Sequence, residues 1–184
     1  MPTDSLARLI NAITPPLPPT GIVRTWDAVE HELKLAFPAD YKGFISTYGT
    51  GVFSPMELFI WNLLEDNVDA DFIRGQNEFA RDAETRSISF QQLQESTPVF
   101  PVGADAFAYE FFLGQDRNPD NWYMIVVHGG LVYHQFPGLS LTGFLTALFV
   151  DKSPALTSLL RGSSYMVSQQ TFIPATPSDR RPDV

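Results

Sequence analysis

The strongest constraint on the fold is a block in which one periodic helix runs into Phe37-Pro38 and a second helix starts at once. Proline suits the first turn of a helix, because its missing N–H has no intrahelical partner there. The second segment has apolar residues at i, i+3, i+4 and i+7, which make one face: Tyr41, Phe44, Ile45 and Tyr48. Gly49 follows where a left-handed residue would end the helix. The block therefore predicts two consecutive helices that pack on a common core.

The remaining periodicity predicts alternating helical and extended segments. Helices are expected over residues 3–14, 25–37, 38–48, 69–81, from 140 and over 153–160, with a short helical turn within 87–96. Strands are expected at residues 52–53, 56–61, 99–102, 106–113, 122–128 and 131–136. The run Pro15-Pro16-Leu17-Pro18-Pro19 fits neither and is expected to be a semi-rigid extended connector.

The order of these elements indicates an α+β fold. A chain of 184 residues, 44% of them apolar, is the size of one domain with a substantial core. Hairpins imply a mixed, largely antiparallel sheet, and helices grouped before and after it pack on its surface. We divide the chain into an N-terminal helix and connector (1–21), a main domain (22–162) and a partly loose C-terminal extension (163–184).

Composition narrows the cellular setting and the partners. The chain has no cysteine, no apolar run of the roughly 20 residues that cross a bilayer, and no basic-then-apolar start typical of a secretory signal. We therefore expect a cytoplasmic protein. The net charge is −9, and residues 57–84 hold eight acidic side chains against two arginines. This charge repels nucleic acid and anionic membranes and attracts basic partners.

No arrangement of residues indicates catalysis, a metal or a cofactor. The three histidines are His31, His128 and His134. If Gly129-Gly130 forms a two-residue hairpin loop, His134 lies opposite Ile125 and away from His128, so the two cannot share a metal. Ser140 is in no nucleophile elbow and is expected to cap a helix. We predict a protein that is not an enzyme and binds no cofactor.

The block from Trp26 to Trp61 resembles the SUKH superfamily, which includes the fungal Smi/Knr cell-wall regulators and many bacterial proteins. The resemblance rests on three pieces of sequence: Trp26-x-x-Val29-Glu30, then Phe37-Pro38-x-Asp40-Tyr41-Lys42-x-Phe44-Ile45, then Tyr48-Gly49-x-Gly51-x-Phe53 with Leu58-x-Ile60. It extends less clearly to about residue 151. It implies an α+β domain in which these residues determine the fold: Trp26, Glu30, Pro38, Asp40, Tyr41, Phe44 and Gly49.

The resemblance also implies a function by binding. Most bacterial members look like immunity proteins that neutralise a cognate toxin, often a nuclease or deaminase; others are regulatory or scaffold modules, which is our alternative. On the first interpretation the acidic segment is the candidate surface for a basic partner, and its residues are Trp61, Glu65, Asp66, Asp69 and Asp71. Equally open at this point, Trp61 ends a buried strand and the acids only keep the surface solvated.

Overall fold

A computed structural model of the chain describes residues 4–54, 56–66, 93, 95–128, 132–160 and 170–175. Its helices are α1 (Asp4–Ala12), α2 (Trp26–Leu33), α3 (Ala39–Tyr48), α4 (Leu141–Phe149) and α5 (Pro154–Leu159). Its strands are β1 (Gly51–Ser54), β2 (Leu58–Ile60), β3 (Val99–Ala104), β4 (Tyr109–Gly114), β5 (Tyr123–His128), β6 (Val132–Phe136) and β7 (Thr171–Pro174). The predicted helix over 69–81 and most of the predicted turn over 87–96 lie outside the described residues.

The seven strands form one sheet in the order β6-β5-β4-β3-β2-β1-β7, and each neighbouring pair is antiparallel. An isolated parallel bridge joins Thr20 to Gly49 beside this sheet. The predicted single-domain α+β fold with a largely antiparallel sheet is confirmed.

The main core lies between one face of the sheet and the helices α1, α3 and α4. Side chains alternate between the two faces of a strand, so Phe111 and Leu113 of β4 join the main core while Phe112 points to the other face. A smaller cluster on that second face contains Leu93, Phe112, Ile125 and Val127. The N-terminal helix belongs to the main core through Leu6 and Leu9, which are 2% and 0% exposed.

The prediction that the second helix reaches Phe37 is wrong. It ends at Leu33, and Lys34 takes a positive φ of 51° as its C-cap. Pro38 disfavours helical backbone in the residue before it, and its own φ and ψ of −54° and 139° make it the N-cap of α3 rather than part of the first turn. The backbone N–H of Phe37 donates instead to Glu30 Oε1, at 2.8 Å.

The predicted register of the β5–β6 hairpin is also wrong. His128 pairs with Val132 and Val126 with His134, so three residues, 129–131, separate the paired ends. A shift of one residue moves side chains to the opposite face, and His134 therefore shares a face with Val126 rather than with Ile125.

Two strands begin two or three residues later than predicted, and one strand was not predicted. β4 begins at Tyr109, after a turn in which Ala108 has a φ of 65° and Asp105 Oδ1 accepts from two backbone N–H groups. β2 begins at Leu58, after Glu57 with a φ of 51°. β7, within the predicted C-terminal extension, pairs along the whole of β1.

Candidate partner-binding surface

The sequence block that carries the resemblance packs inside the molecule. Phe37 lies at the centre of an aromatic cluster, with its ring centroid 5.0 Å from that of Phe100 and 5.9 Å from that of Trp122. Trp26 contacts the rings of Phe37 and Tyr41 at 5.8 and 5.7 Å. Phe44 is 1% exposed and stacks on Tyr48. These rings bury the face that the helical periodicity predicts.

Asp40 connects α3 to the N-terminus of α4. Its carboxylate is buried and accepts hydrogen bonds from the backbone N–H of Thr142, at 2.9 Å, and from the Thr142 hydroxyl. Ser140 Oγ accepts from the N–H of Gly143 at 3.2 Å, and so caps α4 as predicted. Two side chains thus satisfy N–H groups that have no partner within the helix.

Glu30 fastens the linker between α2 and α3. Its Oε1 accepts from Phe37 N–H and from Lys42 Nζ, both at close to 2.9 Å. Partial burial alone would raise the pKa of Glu30, but the Phe37 hydrogen bond, the Lys42 hydrogen bond and the Lys42 charge together lower it below 4.5. Asp120, from a 3-10 turn at Pro119–Asn121, accepts from Ala39 N–H at 3.0 Å and caps α3.

Two buried tyrosine hydroxyls of α3 donate hydrogen bonds to the backbone of two other segments, one that follows β2 and one that follows α1. Tyr41 donates to the carbonyl of Trp61 at 2.7 Å, and Tyr48 donates to the carbonyl of Ile13 at 2.6 Å. Burial raises the pKa of both phenols above the usual range. They remain neutral donors at any physiological pH, so α3 fixes the start of the connector and the end of β2.

The five proposed contact residues have different positions in the structure. Trp61 is 7% exposed, and its indole packs inside the molecule. Glu65 is half-buried, and its Oε1 accepts from the Thr50 hydroxyl at 2.7 Å. Asp66 is exposed. Asp69 and Asp71 lie outside the described residues. Of the proposed contact residues that the structure describes, Asp66 is therefore the exposed one.

A buried amide that the sequence analysis did not single out organises this region. Asn62 is 0% exposed; its Nδ2 donates to the carbonyl of Gly21 and to Thr50 Oγ1, both at 3.0 Å, and its Oδ1 accepts from Leu64 N–H at 2.9 Å. A buried polar group needs such partners, because an unsatisfied one costs about 1–3 kcal/mol. The available signal was one asparagine between Trp61 and Leu63 in an otherwise apolar run.

The connector, which from here on means the whole segment between α1 and α2, forms backbone hydrogen bonds with this network. Thr50 N–H donates to the carbonyl of Thr20 at 3.0 Å, and the Thr20 hydroxyl donates to the carbonyl of Thr50 at 2.7 Å. Gly49 has the predicted positive φ, 65°, although its ψ of −141° lies outside the left-handed helical region. A Cβ on Gly49 would lie 2.1 Å from the Thr20 carbonyl oxygen, so the close approach requires glycine.

In the part of the chain that the structure describes, the other ionisable groups are not grouped as a metal site or a catalytic cluster would be. The corrected register puts His128 and His134 on one face, two pairs apart, but the His128 ring stacks on Tyr109 at 4.3 Å. Burial raises the pKa of Asp105, against the lowering effect of hydrogen bonds from Tyr109 and Phe107 and of the His128 charge. Among the described residues, no three His, Asp or Glu side chains are grouped as a metal ion would need. None of the described helices is long and apolar enough to cross a bilayer.

Comparison with known proteins gives one match. Residues 24–136 match a family model, SUKH_6, that is described as SMI1-KNR4 cell-wall. Searches of the curated proteins and of the solved structures return no match. The matched residues contain the α2–α3 block, the acidic turn after β2 and strands β1 to β6. Since they make up more than half of the chain, the protein belongs to the SMI1-KNR4 family of the SUKH superfamily.

Proposed function

We propose that this protein is a cytoplasmic immunity protein that binds a cognate toxin and blocks the toxin's active site. The observation that carries the proposal is the family match over residues 24–136. Domains of this family generally act by binding rather than by catalysis. The proposal therefore assigns no catalytic residue and no cofactor, and it identifies the partner as a protein.

The charge of the chain supports a basic partner. A nuclease or deaminase that acts on nucleic acid carries basic groups around its substrate cleft, and an acidic protein surface complements them. The net charge of −9 is concentrated in residues 57–84. Asp66 is exposed where this segment leaves the sheet. We propose Asp66, Asp69 and Asp71 as charges at the rim of the contact, where they speed association and orient the partner.

In the block that carries the resemblance, the residues maintain the fold and are not exposed to a partner. Asp40, Tyr41 and Phe44 are buried and their polar groups bond within the chain. Few of their atoms are therefore accessible to a partner. Recognition is therefore proposed for the acidic turn and its surroundings, which these residues hold in place.

The proposal predicts that a neighbouring gene encodes the toxin, and the test uses the purified product of that gene. Co-expression of the chain is expected to protect a bacterial host from that toxin, and calorimetry is expected to show a complex between the purified proteins. Asp66→Lys combined with Asp69→Lys is expected to weaken the complex about tenfold at low salt and to reduce its salt dependence.

A control separates local charge from total charge. Glu57→Lys combined with Glu95→Lys changes the net charge equally at two exposed positions outside the turn 64–66, and its affinity is expected to stay close to that of the unmodified protein. Equal weakening by both pairs would reject the acidic surface while leaving the toxin as the partner. A chain that neither binds nor protects would reject the immunity function in favour of a regulatory or scaffold module.

A further inference from the structure

Exposed apolar side chains are concentrated on the connector. In the described part of the chain the large apolar residues that are well exposed are Leu17, Ile22, Val23, Phe107 and Ile173. Three of these five fall within residues 17–23, and Leu17 is 98% exposed while Val23 is 59% exposed. Scattered apolar residues on a surface need no explanation, but a cluster with a polar border is typical of a protein–protein contact.

The connector is fastened at both ends by bonds within the molecule. At its start, Tyr48 donates to the carbonyl of Ile13; at its far end, Asn62 Nδ2 donates to the carbonyl of Gly21. Four prolines surround Leu17 and restrict the backbone between these points. A segment already held in one conformation loses little entropy when it binds, and this favours affinity. The chain thus presents Leu17 without burying it.

The same segment runs beside the acidic turn. The backbone N–H groups of Val23 and Arg24 both donate to the carbonyl of Leu64, at 2.9 and 3.0 Å. A Cβ on Gly21 would lie 2.5 Å from Glu65 Oε1, so the Glu65 side chain lies directly against the Gly21 backbone. The exposed apolar side chains of Ile22 and Val23 therefore lie beside the turn that carries the exposed carboxylate of Asp66, and Leu17 precedes them on the same segment.

We propose that residues 17–23 and the turn 64–66, here called the connector surface, form the recognition site for the toxin. The partner that fits it has an apolar pocket for Leu17 and Val23, bordered by lysine or arginine side chains that face Asp66. This inference rests on the proposed function. It adds that apolar contacts outside the matched residues 24–136 contribute to affinity. The acidic rim, in contrast, mainly affects the rate of association.

The test uses the full chain and the purified product of the neighbouring gene that the proposed function predicts to be the toxin. Leu17→Ser combined with Val23→Ser is expected to weaken the complex about tenfold or more, mainly through faster dissociation. Phe107→Ser is the matched control, because Phe107 is 42% exposed. Phe107 lies in the turn after Ala104. This turn is beside the β1–β2 turn, at the end of the strands opposite to residues 64–66. The affinity of this variant is expected to remain within about twofold of the original.

The outcomes separate the two proposals. If the unmodified chain binds the toxin and the Leu17/Val23 variant binds equally well, the connector surface is rejected and the immunity function stands. If the unmodified chain does not bind, both are rejected. If the chain alone sediments as a dimer that the Leu17/Val23 variant dissociates, the occupant is a second copy and the toxin assignment of this surface is overturned. Unchanged melting temperatures verify that each variant is folded.

Discussion

Two proline-containing segments, the connector and the α2–α3 junction, are used in opposite ways. At the α2–α3 junction, Pro38 separates two helices whose apolar side chains turn inward; Phe37 is 2% exposed. In the connector, the backbone is also restricted and is bonded to the core at both ends, but Leu17 is 98% exposed. The junction contributes its side chains to stability. The connector contributes its anchoring bonds and leaves the side chains of Leu17 and Val23 exposed.

The largest expected contrast compares truncation of one apolar side chain from each segment. Phe44→Ala removes a ring that is 1% exposed and is expected to lower the free energy of unfolding by about 3–5 kcal/mol. Leu17→Ala removes a side chain that touches almost nothing and is expected to change it by less than about 0.5 kcal/mol. Urea unfolding followed by circular dichroism measures both. A loss for Leu17→Ala comparable to that of Phe44→Ala would mean that the connector is part of the core.

Buried and exposed carboxylates give a second contrast. Asp40→Ala takes the acceptor away from the N–H and hydroxyl of Thr142 at the start of α4. A buried donor without its acceptor costs about 1–3 kcal/mol, and we expect a destabilisation of about 2 kcal/mol.

Asp66→Ala is the matched control for this variant, since Asp66 is exposed, and its unfolding free energy is expected to stay within about 0.5 kcal/mol of the original. The same urea titrations apply. If Asp66→Ala were as destabilising as Asp40→Ala, Asp66 would serve the fold and would lose its role as a rim charge.

A third prediction concerns the bond that holds the connector. Asn62→Ala removes the donor to the Gly21 carbonyl and is expected to cost about 1–2 kcal/mol. It should also speed hydrogen exchange at the amides of Val23 and Arg24, which donate to the adjacent Leu64 carbonyl. Asn11→Ala, at an exposed position of α1, is the control and should leave both amides unchanged. Unaltered exchange in Asn62→Ala would show that other contacts alone hold the connector.

The fold was predictable where a local period decided it. Tyr41, Phe44, Ile45 and Tyr48 recur at helical spacing, and that pattern is independent of the rest of the chain. The β5–β6 register was not predictable from its glycine pair, because one additional residue in the loop moves His134 to the other face. The strand β7 has little pattern of its own and is defined by its pairing with β1.

The candidate site was only partly predictable for a related reason. The charge of the acidic segment is visible in the sequence, as is the run of prolines. The contact between the two segments depends on Asn62, whose partners are 41 and 42 residues away in Gly21 and Thr20. Asp120 likewise caps a helix 81 residues distant. Hydrogen bonds between residues so far apart leave no periodic signal, so the sequence supplied the parts of this surface and not their arrangement.

The smallest expected effect is a pH dependence that originates in the junction. The pKa of Glu30 is below 4.5 in the folded chain, so folding is favoured by its ionised form. This contribution is fully present above the pKa of the unfolded chain and is lost as the pH falls through the lower, folded pKa. Glu30→Gln is therefore expected to show a shallower loss of stability on acidification, measured as the urea midpoint at pH values above and below 4.5.

Lys42→Met separates the contributions of Lys42 to the lowered pKa of Glu30 from that of Phe37, since it removes the ammonium group 2.9 Å from Oε1 and leaves the Phe37 hydrogen bond in place. Its acid sensitivity is expected to lie between those of the original chain and Glu30→Gln. The hydrogen bonds between Glu30, Phe37 and Lys42 do not involve the connector. The toxin affinity of both variants should therefore be unchanged at neutral pH. If Glu30→Gln lost stability on acidification as steeply as the original chain, the pH dependence would belong to other carboxylates. If either variant lost affinity for the toxin, the α2–α3 junction and the connector surface would be coupled.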